Sequence, residues 1–298
     1  MSTVNATAVV VRWRGGDEIA RCLRSLLDHG GPRLMKIVLV DSGSGDGGAE
    51  RLASVFPEVE VVALEENRSF AHAANTGARR CTEELLLLLN PDTEVEEGAI
   101  TTLAEAIEER PRSAGVVPTL VNPDGSSQHL WQLRRLPTVA RLAVGRAGAS
   151  AFSSPPESET TVAQPAAAAW MVRRDVWQAL GGFDEAFAPA WWEDVDFCAR
   201  LGGSLEDSQF PTNEGFIVIP RARIRHMGGS SVRELADAAF LTAYYANLLR
   251  YAARHHPERF GLISHALRWS LVGRAAIHQG RRRAYLQVTQ NLGGDQYR

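Results

Sequence analysis

ATAVVVRWRGGDEIARCLRSLLDHGGPRLMKIVLVD, residues 6–41, decides the fold. Ala6 to Val11 is a nearly continuous β-rich run, and Gly15-Gly16 turns the chain, with Asp17 as N-cap of the helix that follows. Ile19, Cys22, Leu23, Leu26 and Leu27 recur at helical spacing until Gly30-Gly31-Pro32 stops the helix. Lys36 to Asp41 is a second apolar strand. The pattern repeats outward from there. The Gly-rich loop Ser42 to Gly48 leads into a helix, Val59 to Leu64 is a third strand, Phe70 to Cys81 a helix and Leu85 to Leu89 a fourth strand. Apolar strands separated by amphipathic helices predict an α/β domain, with a Rossmann-like, mostly parallel sheet covered by helices on both faces.

Such sheets bind ligands beyond the carboxyl ends of their strands. Polar groups stand at those ends here: Arg12 after the first strand, Asp41-Ser42 after the second, Asn67 after the third, and Asn90-Pro91-Asp92 after the fourth. Each alone is ordinary turn chemistry. Together they mark a site without specifying a reaction.

The second half is less regular. Ala114 to Val121 reads as a strand, Asn122-Pro123-Asp124-Gly125 as a turn, and Ser150 to Thr161 as either a surface loop or lid, or a disordered segment. Ala166 to Val172 and Phe216 to Ile219 read as strands, Arg173 to Leu180 as a short helix, and Gly181 to Glu185 and His226 to Ser230 as turns. Two helices, Leu235 to His255 and Glu258 to about Gly280, close the chain. A catalytic domain over 1–232, with halves at about 1–120 and 121–232, and a helical extension over 233–298 are expected.

Composition bounds the function classes. The 298 residues are 45% hydrophobic and 22% charged with a net charge of −3, ordinary for a globular protein and unlike a general nucleic-acid binder. Cys22, Cys81 and Cys198 lack any metal-ligand spacing and read as small buried side chains in a reducing cytoplasm. The N-terminal apolar run is too short and has no basic flank for a signal peptide. Arg268, Arg274, Arg281, Arg282 and Arg283 beside Leu267, Trp269, Leu271 and Val272 make a basic amphipathic pattern. It suits a solvated helix face, an oligomer contact, or an anionic membrane surface at the inner face of the membrane.

Asp92 sits on a turn stiffened by Pro91, a good place for a carboxylate that holds a divalent cation against a diphosphate. The bland alternative is an N-cap for a helix begun by Glu94, Glu96 and Glu97. Glu193-Asp194 follows Trp191-Trp192, a pattern that suits an aromatic acceptor platform with a base beside it; capping and core packing are the alternatives. His226 precedes Gly228. The stretch Gly43 to Gly48 follows the second strand and carries Asp46, which excludes a P-loop or dinucleotide fingerprint.

VVVRWRGGDEIARCLRSLL (9–27), IVLVDSGSGDGG (37–48), ENRSFAHAANTGARR (66–80), LLLLLNPDTEV (85–95), VRRDVWQALGGFDEAFAPAWWEDVDFCARL (172–201) and ARIRHMGGSS (222–231), in this order, resemble the family-2 inverting glycosyltransferases of GT-A fold, and most of all their bacterial rhamnosyltransferase-like branch. The resemblance implies a donor site containing Arg12, Asp41, Ser42, Asn67, Asn75 and Asn90, with Asp41 and Ser42 at the nucleobase. It implies Mg2+ or Mn2+ on Asp92 and His226, with Asn90 in place of the first acid of the DxD-like motif. Asp194 falls at the catalytic base, and Trp191, Trp192 and Glu193 lie toward the acceptor. Departures at Arg12-Trp13-Arg14, Ser42 and Ala71 to Ala74 leave the nucleotide (dTDP, UDP or GDP) and the sugar open. The implied activity is transfer of a hexose or deoxyhexose to a glycan, lipid-linked or small-molecule acceptor in cell-surface polysaccharide or glycoconjugate synthesis. An inactive nucleotide-sugar-binding protein and a sugar nucleotidyltransferase are the rival readings.

Overall fold

The computed structural model describes residues 3–228, 237–278 and 281–291. In chain order the elements are β1 (Ala6–Arg12), α1 (Glu18–His29), β2 (Leu34–Asp41), α2 (Gly48–Val55), β3 (Glu60–Ala63), α3 (Phe70–Ala78), β4 (Leu85–Leu89), β5 (Thr93–Val95), α4 (Ala99–Glu108), β6 (Ser113–Val121), α5 (His129–Gln132), β7 (Leu133–Arg134), α6 (Val139–Ala143), β8 (Thr160–Val162), β9 (Gln164–Pro165), β10 (Ala169–Arg173), α7 (Arg174–Ala179), α8 (Glu193–Ser204), β11 (Glu214–His226), α9 (Asp237–His255), α10 (Phe260–Ile277) and α11 (Arg282–Asn291).

The main sheet runs β3-β2-β1-β4-β10-β6-β11-β5, with β8 added on β11. Its first four strands are parallel, in keeping with their mostly apolar sequences. Beyond β4 it is mixed: β10 runs antiparallel to both β4 and β6, and β5 and β8 run antiparallel to β11. Alternate residues of β1 divide the core. Ala6, Ala8 and Val10 pack with α1 and α4 on one face, while Val9 and Val11 pack with α3, α8 and Trp170 on the other.

Several expectations are corrected. The strand expected at Phe216–Ile219 continues to His226, because a register shift between Ile219 and Arg223 absorbs Pro220, which has no N–H to give a ladder. The acids after Asp92 do not open a helix: Thr93–Val95 is a strand, and α4 starts at Ala99 behind Gly98. Asp92 is therefore no helix cap. Of the readings for Ser150 to Thr161, the surface loop holds for most of the segment, and the loop is pinned at several points. Phe152 packs on the second core, Glu159 pairs with Arg110 and Arg221, and β8 adds to the sheet.

The C-terminal helices form a third core with Phe187, Trp192 and Val195. Leu267 and Leu271 are fully buried in it, so half of the apolar stripe expected to meet solvent or membrane is interior, leaving Trp269 and Val272 exposed. A third closing helix, α11, follows the two expected. The boundary expected at residue 232, the helix start at Leu235, and Gly229-Ser230 lie outside the described residues. No described helix is long and apolar enough to cross a membrane.

Candidate active site

The parallel register sets Arg12 beside Asp41 at the strand ends. They bind each other: the buried Arg12 guanidinium pairs with Asp41 and with Asp46 of the Gly-rich loop. Burial alone would lower the Arg12 pKa, but Asp46 and Asp41 more than offset it and raise it. A Cβ at Gly48 would lie 2.3 Å from Arg12 Nη2, so glycine there lets the loop close over the guanidinium. The second Asp41 oxygen accepts the Ser44 N–H at 2.8 Å, and Ser42 Oγ donates to Asn67 Oδ1 at 3.0 Å. Ser42 and Asn67 thus adjoin, with Asn67 exposed. Arg12 and Asp41, both expected at the donor, are bonded to each other and into the loop.

Asn75 is likewise bonded within the protein. Its amide donates to Phe183 O at 2.8 Å and Glu185 Oε1 at 3.1 Å and accepts from Phe183 N at 3.0 Å. It clamps the Gly-Phe-Asp-Glu turn onto α3. Gly182 sits at φ +72°, and a Cβ there would fall 2.4 Å from Asn75 Oδ1. Asp184 of the same turn pairs with Arg254 of α9 at 2.7 Å.

Asp92 and His226 do meet. Antiparallel pairing sets His226 against Thr93, Met227 N donates to Asp92 O at 2.9 Å, and His226 Nε2 lies 3.4 Å from Asp92 Oδ1. Both side chains are nearly buried. His226 Nδ1 donates to Gln128 Oε1 at 2.8 Å if that nitrogen carries the proton, which turns the lone pair of Nε2 toward Asp92. Gln128 Nε2 also donates to His226 O at 2.8 Å, and the Trp131 ring stacks on the imidazole at 5.2 Å and 16°. No group of three or more His, Cys, Asp or Glu among the described residues could hold a metal by itself. One carboxylate and one oriented imidazole fit a Mg2+ or Mn2+ ion that takes its remaining ligands from a diphosphate and water. Asn90 is half-buried at the same corner, its N–H donating to Ala168 O at 2.9 Å.

The two tryptophans differ: Trp192 is core, as one of the pair was expected to be, and Trp191 is half-buried. Trp192 is 2% exposed and packs with Tyr244 and Tyr251, and Trp191 stands edge-on to Phe240 at 4.6 Å. Both hold left-handed backbone, φ +72° and +78°, which costs bulky residues roughly 1–3 kcal/mol each. Asn247 of α9 stabilises the turn, its Nδ2 donating to Ala190 O at 2.9 Å, Trp191 O at 3.1 Å and Ala188 O at 3.3 Å. An exposed aromatic does stand near the site, but it is Trp131, 46% exposed.

That turn aims three acids in different directions. Burial, then the neighbouring Asp194, pushes the Glu193 carboxyl well up, and its Oε2 finds no partner. Asp196 is fully buried. Burial would raise its pKa, but His255, Arg200 and Arg254 hold it below the ordinary value. Asp194 lies between these extremes. Burial raises it, Arg134 opposes, and its side chain keeps 13% exposure. Its Oδ1 accepts Val195 N at 2.8 Å; its Oδ2 accepts Gln164 Nε2 at 3.1 Å, Arg134 Nη2 at 3.4 Å and Ala167 N at 3.4 Å. Ala167 and Ala168 therefore join the two halves of the site, one bonded to Asp194 and the next to Asn90.

Gln128, Trp131, Arg134, Gln164 and Asn247 were invisible to sequence reading. The first four come from elements two to four residues long or their edges, too short for any periodicity, and Asn247 is a polar residue inside a helix. The basic pair Arg134-Arg135 before Leu136-Pro137 was the one local signal.

Residues 7–176, more than half the chain, match the family model described as Glycosyl transferase family 2. The chain is 25% identical over 307 residues to an N-acetylglucosaminyl-diphospho-decaprenol L-rhamnosyltransferase of Mycobacterium tuberculosis, covering 95% of this chain and 93% of that protein. It is 26% identical over 252 residues to the O-antigen biosynthesis protein RfbC of Myxococcus xanthus, 83% of this chain and 19% of that one. Among solved structures it resembles GalNAc-T7 with UDP, GalNAc and Mn2+ (TM-score 0.60, 14% identity, 97% of this chain and 58% of that one). It also resembles S. aureus TarS 1–349 in complex with UDP (TM-score 0.55, 14% identity, 93% of this chain and 73% of that one). These structures share its GT-A fold.

Proposed function

We propose that this chain, which belongs to glycosyl transferase family 2, moves a deoxyhexose such as rhamnose, or a hexose, from an NDP-sugar to an acceptor hydroxyl with inversion at the anomeric carbon. The carrying observation is Asp194. Of the three acids at the start of α8 it alone combines partial exposure with a carboxylate held by donors, and Ala167-Ala168 tie it to the Asn90 and Asp92 corner. Burial pushes the Glu193 carboxyl well up and leaves its Oε2 without a partner, and Asp196 is bonded to three cations, so Asp194 is the better placed of the three to act as base.

Asp194 takes the acceptor proton while the acceptor oxygen bonds to the anomeric carbon, and the sugar–diphosphate bond breaks with its electron pair leaving on the nucleoside diphosphate. Asp92 and His226 would hold a Mg2+ or Mn2+ ion, which when bound neutralises charge on the departing diphosphate. Gln128 keeps the His226 tautomer that offers Nε2. Asp41, Ser42 and Asn67, grouped at the ends of β2 and β3, receive the nucleoside.

The acceptor is lipid-linked, as the name of the mycobacterial relative states for that protein. The exposed Leu262, Trp269, Val272 and Ile277 of α10 are consistent with peripheral contact at the cytoplasmic face of a membrane. Purified protein incubated with dTDP-, UDP- and GDP-sugars, with and without a polyprenyl-diphosphate-linked N-acetylglucosamine, tests the reading. Acceptor-dependent release of one nucleoside diphosphate is expected; none released from any donor would overturn it.

A further inference from the structure

We propose that Arg134 and Gln164 are positioning residues for the base: facing one another across the β7–β9 pair, they occupy Asp194 Oδ2 and leave Oδ1 as the atom that receives the acceptor proton. The inference rests on the reading of Asp194 as the base.

A carboxylate offers about four lone-pair sites, two on each oxygen. Oδ2 faces three donors, Gln164 Nε2, Arg134 Nη2 and Ala167 N–H, from three different residues of the β7–β9 region. It has no lone pair left. Oδ1 accepts one donor, the Val195 N–H of its own helical turn, and keeps one. The two oxygens are therefore unequal.

Among the described residues, and apart from the Gln164 Nε2 bond to Pro165 O at 3.0 Å, the side-chain hydrogen bonds of these two residues run to Asp194. What both share is Asp194.

Arg134 also has an electrostatic effect. Burial raises the Asp194 carboxyl, and Arg134 is the leading influence against it. The groups around Asp194 are Glu193, Asp196 and Cys198 on its own helix, Arg134 from β7, and the neutral Gln164 and Ala167 N–H from the β9 side. Tyr244 of α9 feels Arg134 as well. Arg134 is the cation bonded to this carboxylate, since Arg200, Arg254 and His255 are bonded to Asp196. The sign follows: without Arg134 the Asp194 pKa rises, and the fraction ionised at a given pH falls.

The test uses the full chain labelled with 13C-carboxyl aspartate, the Asp194 resonance being the one missing from Asp194→Asn. In Arg134→Met that resonance should titrate at higher pH than in wild type, and Arg134→Lys should restore it. With the donor and acceptor chosen by the nucleoside-diphosphate assay, the acid limb of kcat/KM should move upward with it. Neutral-pH turnover should fall about tenfold or more, while donor KM stays near wild type. Gln164→Leu should lower kcat without moving the limb as far, and serves if Arg134→Met does not fold. An unmoved resonance and limb in Arg134→Met, or a loss confined to donor KM, overturns the proposal. If Asp194→Asn itself keeps near-normal turnover, the base reading fails instead, and the NMR result then decides the positioning of the carboxylate alone.

Discussion

The Asp92 corner and the Asp194 turn hold their carboxylates by opposite means. Asp92 stands at the end of a buried strand, and its partner His226 arrives by a regular β5–β11 ladder, so backbone hydrogen bonds do the placing. Asp194 stands behind two left-handed tryptophans and is held by side chains from β7 and β9, with Asn247 of α9 stabilising the turn. A ladder costs little to maintain. The turn is strained and needs a third core to sustain it. The Asp92 end of the candidate site is thus rigid by topology, and the Asp194 end by tertiary contacts with the C-terminal helices.

The strongest way to break this contrast is Asp194→Asn. It keeps size but sets an NH2 where an oxygen accepts an N–H, so some stability is lost, while donor nucleotide should bind as in wild type and transfer should fall about 100-fold or more. Calorimetric titration with nucleoside diphosphate alongside a transfer assay checks both halves. Donor affinity lost together with thermal stability would make Asp194 a structural group.

Metal removal sharpens the other side. With two protein ligands, Mn2+ should bind weakly to the protein alone and much more tightly once nucleoside diphosphate is present, and EDTA should abolish transfer. Gln128→Leu, which frees the His226 ring, should weaken nucleotide-dependent Mn2+ binding about 10–100-fold as read by electron paramagnetic resonance. Tight Mn2+ binding without nucleotide would show that further protein ligands exist.

The smallest effect concerns the tie to the extension. Asn247→Leu leaves three carbonyls of the Ala188–Trp191 turn without their donor and should destabilise the fold by about 1–3 kcal/mol. Thermal unfolding gives the number. Turnover should fall in step with stability, and Mn2+ binding should not, if the two regions are held independently.

How legible these regions were follows from the same contrast. Asp92 was readable because an acid after Pro91 on a buried strand carries a strand-end signal in a few neighbouring residues, whereas His226, read as a turn residue, was joined to it only by the family resemblance. Asp194 was readable as a motif, but its partners were not: β7 and β9 are two residues long and pair across about thirty positions. Which of Trp191 and Trp192 is core was hidden for the same reason. A tryptophan pair beside acids looks like a platform until α9 is seen to cover it. The internal bonds of Asn75 and Arg12 were not readable, because a polar residue at the ligand edge can equally serve the fold, here by clamping the Phe183 turn and pairing with Asp41 and Asp46.

By itself the sequence determined the α/β class, the four parallel strands, the polar edge at their carboxyl ends and the acids at which the chemistry is sought. Hydrophobic periodicity and turn chemistry act over a few residues, and so they are written locally. Tertiary structure alone decided that the second half of the sheet is mixed, that Trp192 is core, and that Arg134, Gln164, Gln128 and Asn247 contact the candidate site residues or the turn that carries them. Each of those rests on contacts between segments far apart in the chain, where burial and hydrogen-bond satisfaction, rather than local propensity, select the arrangement.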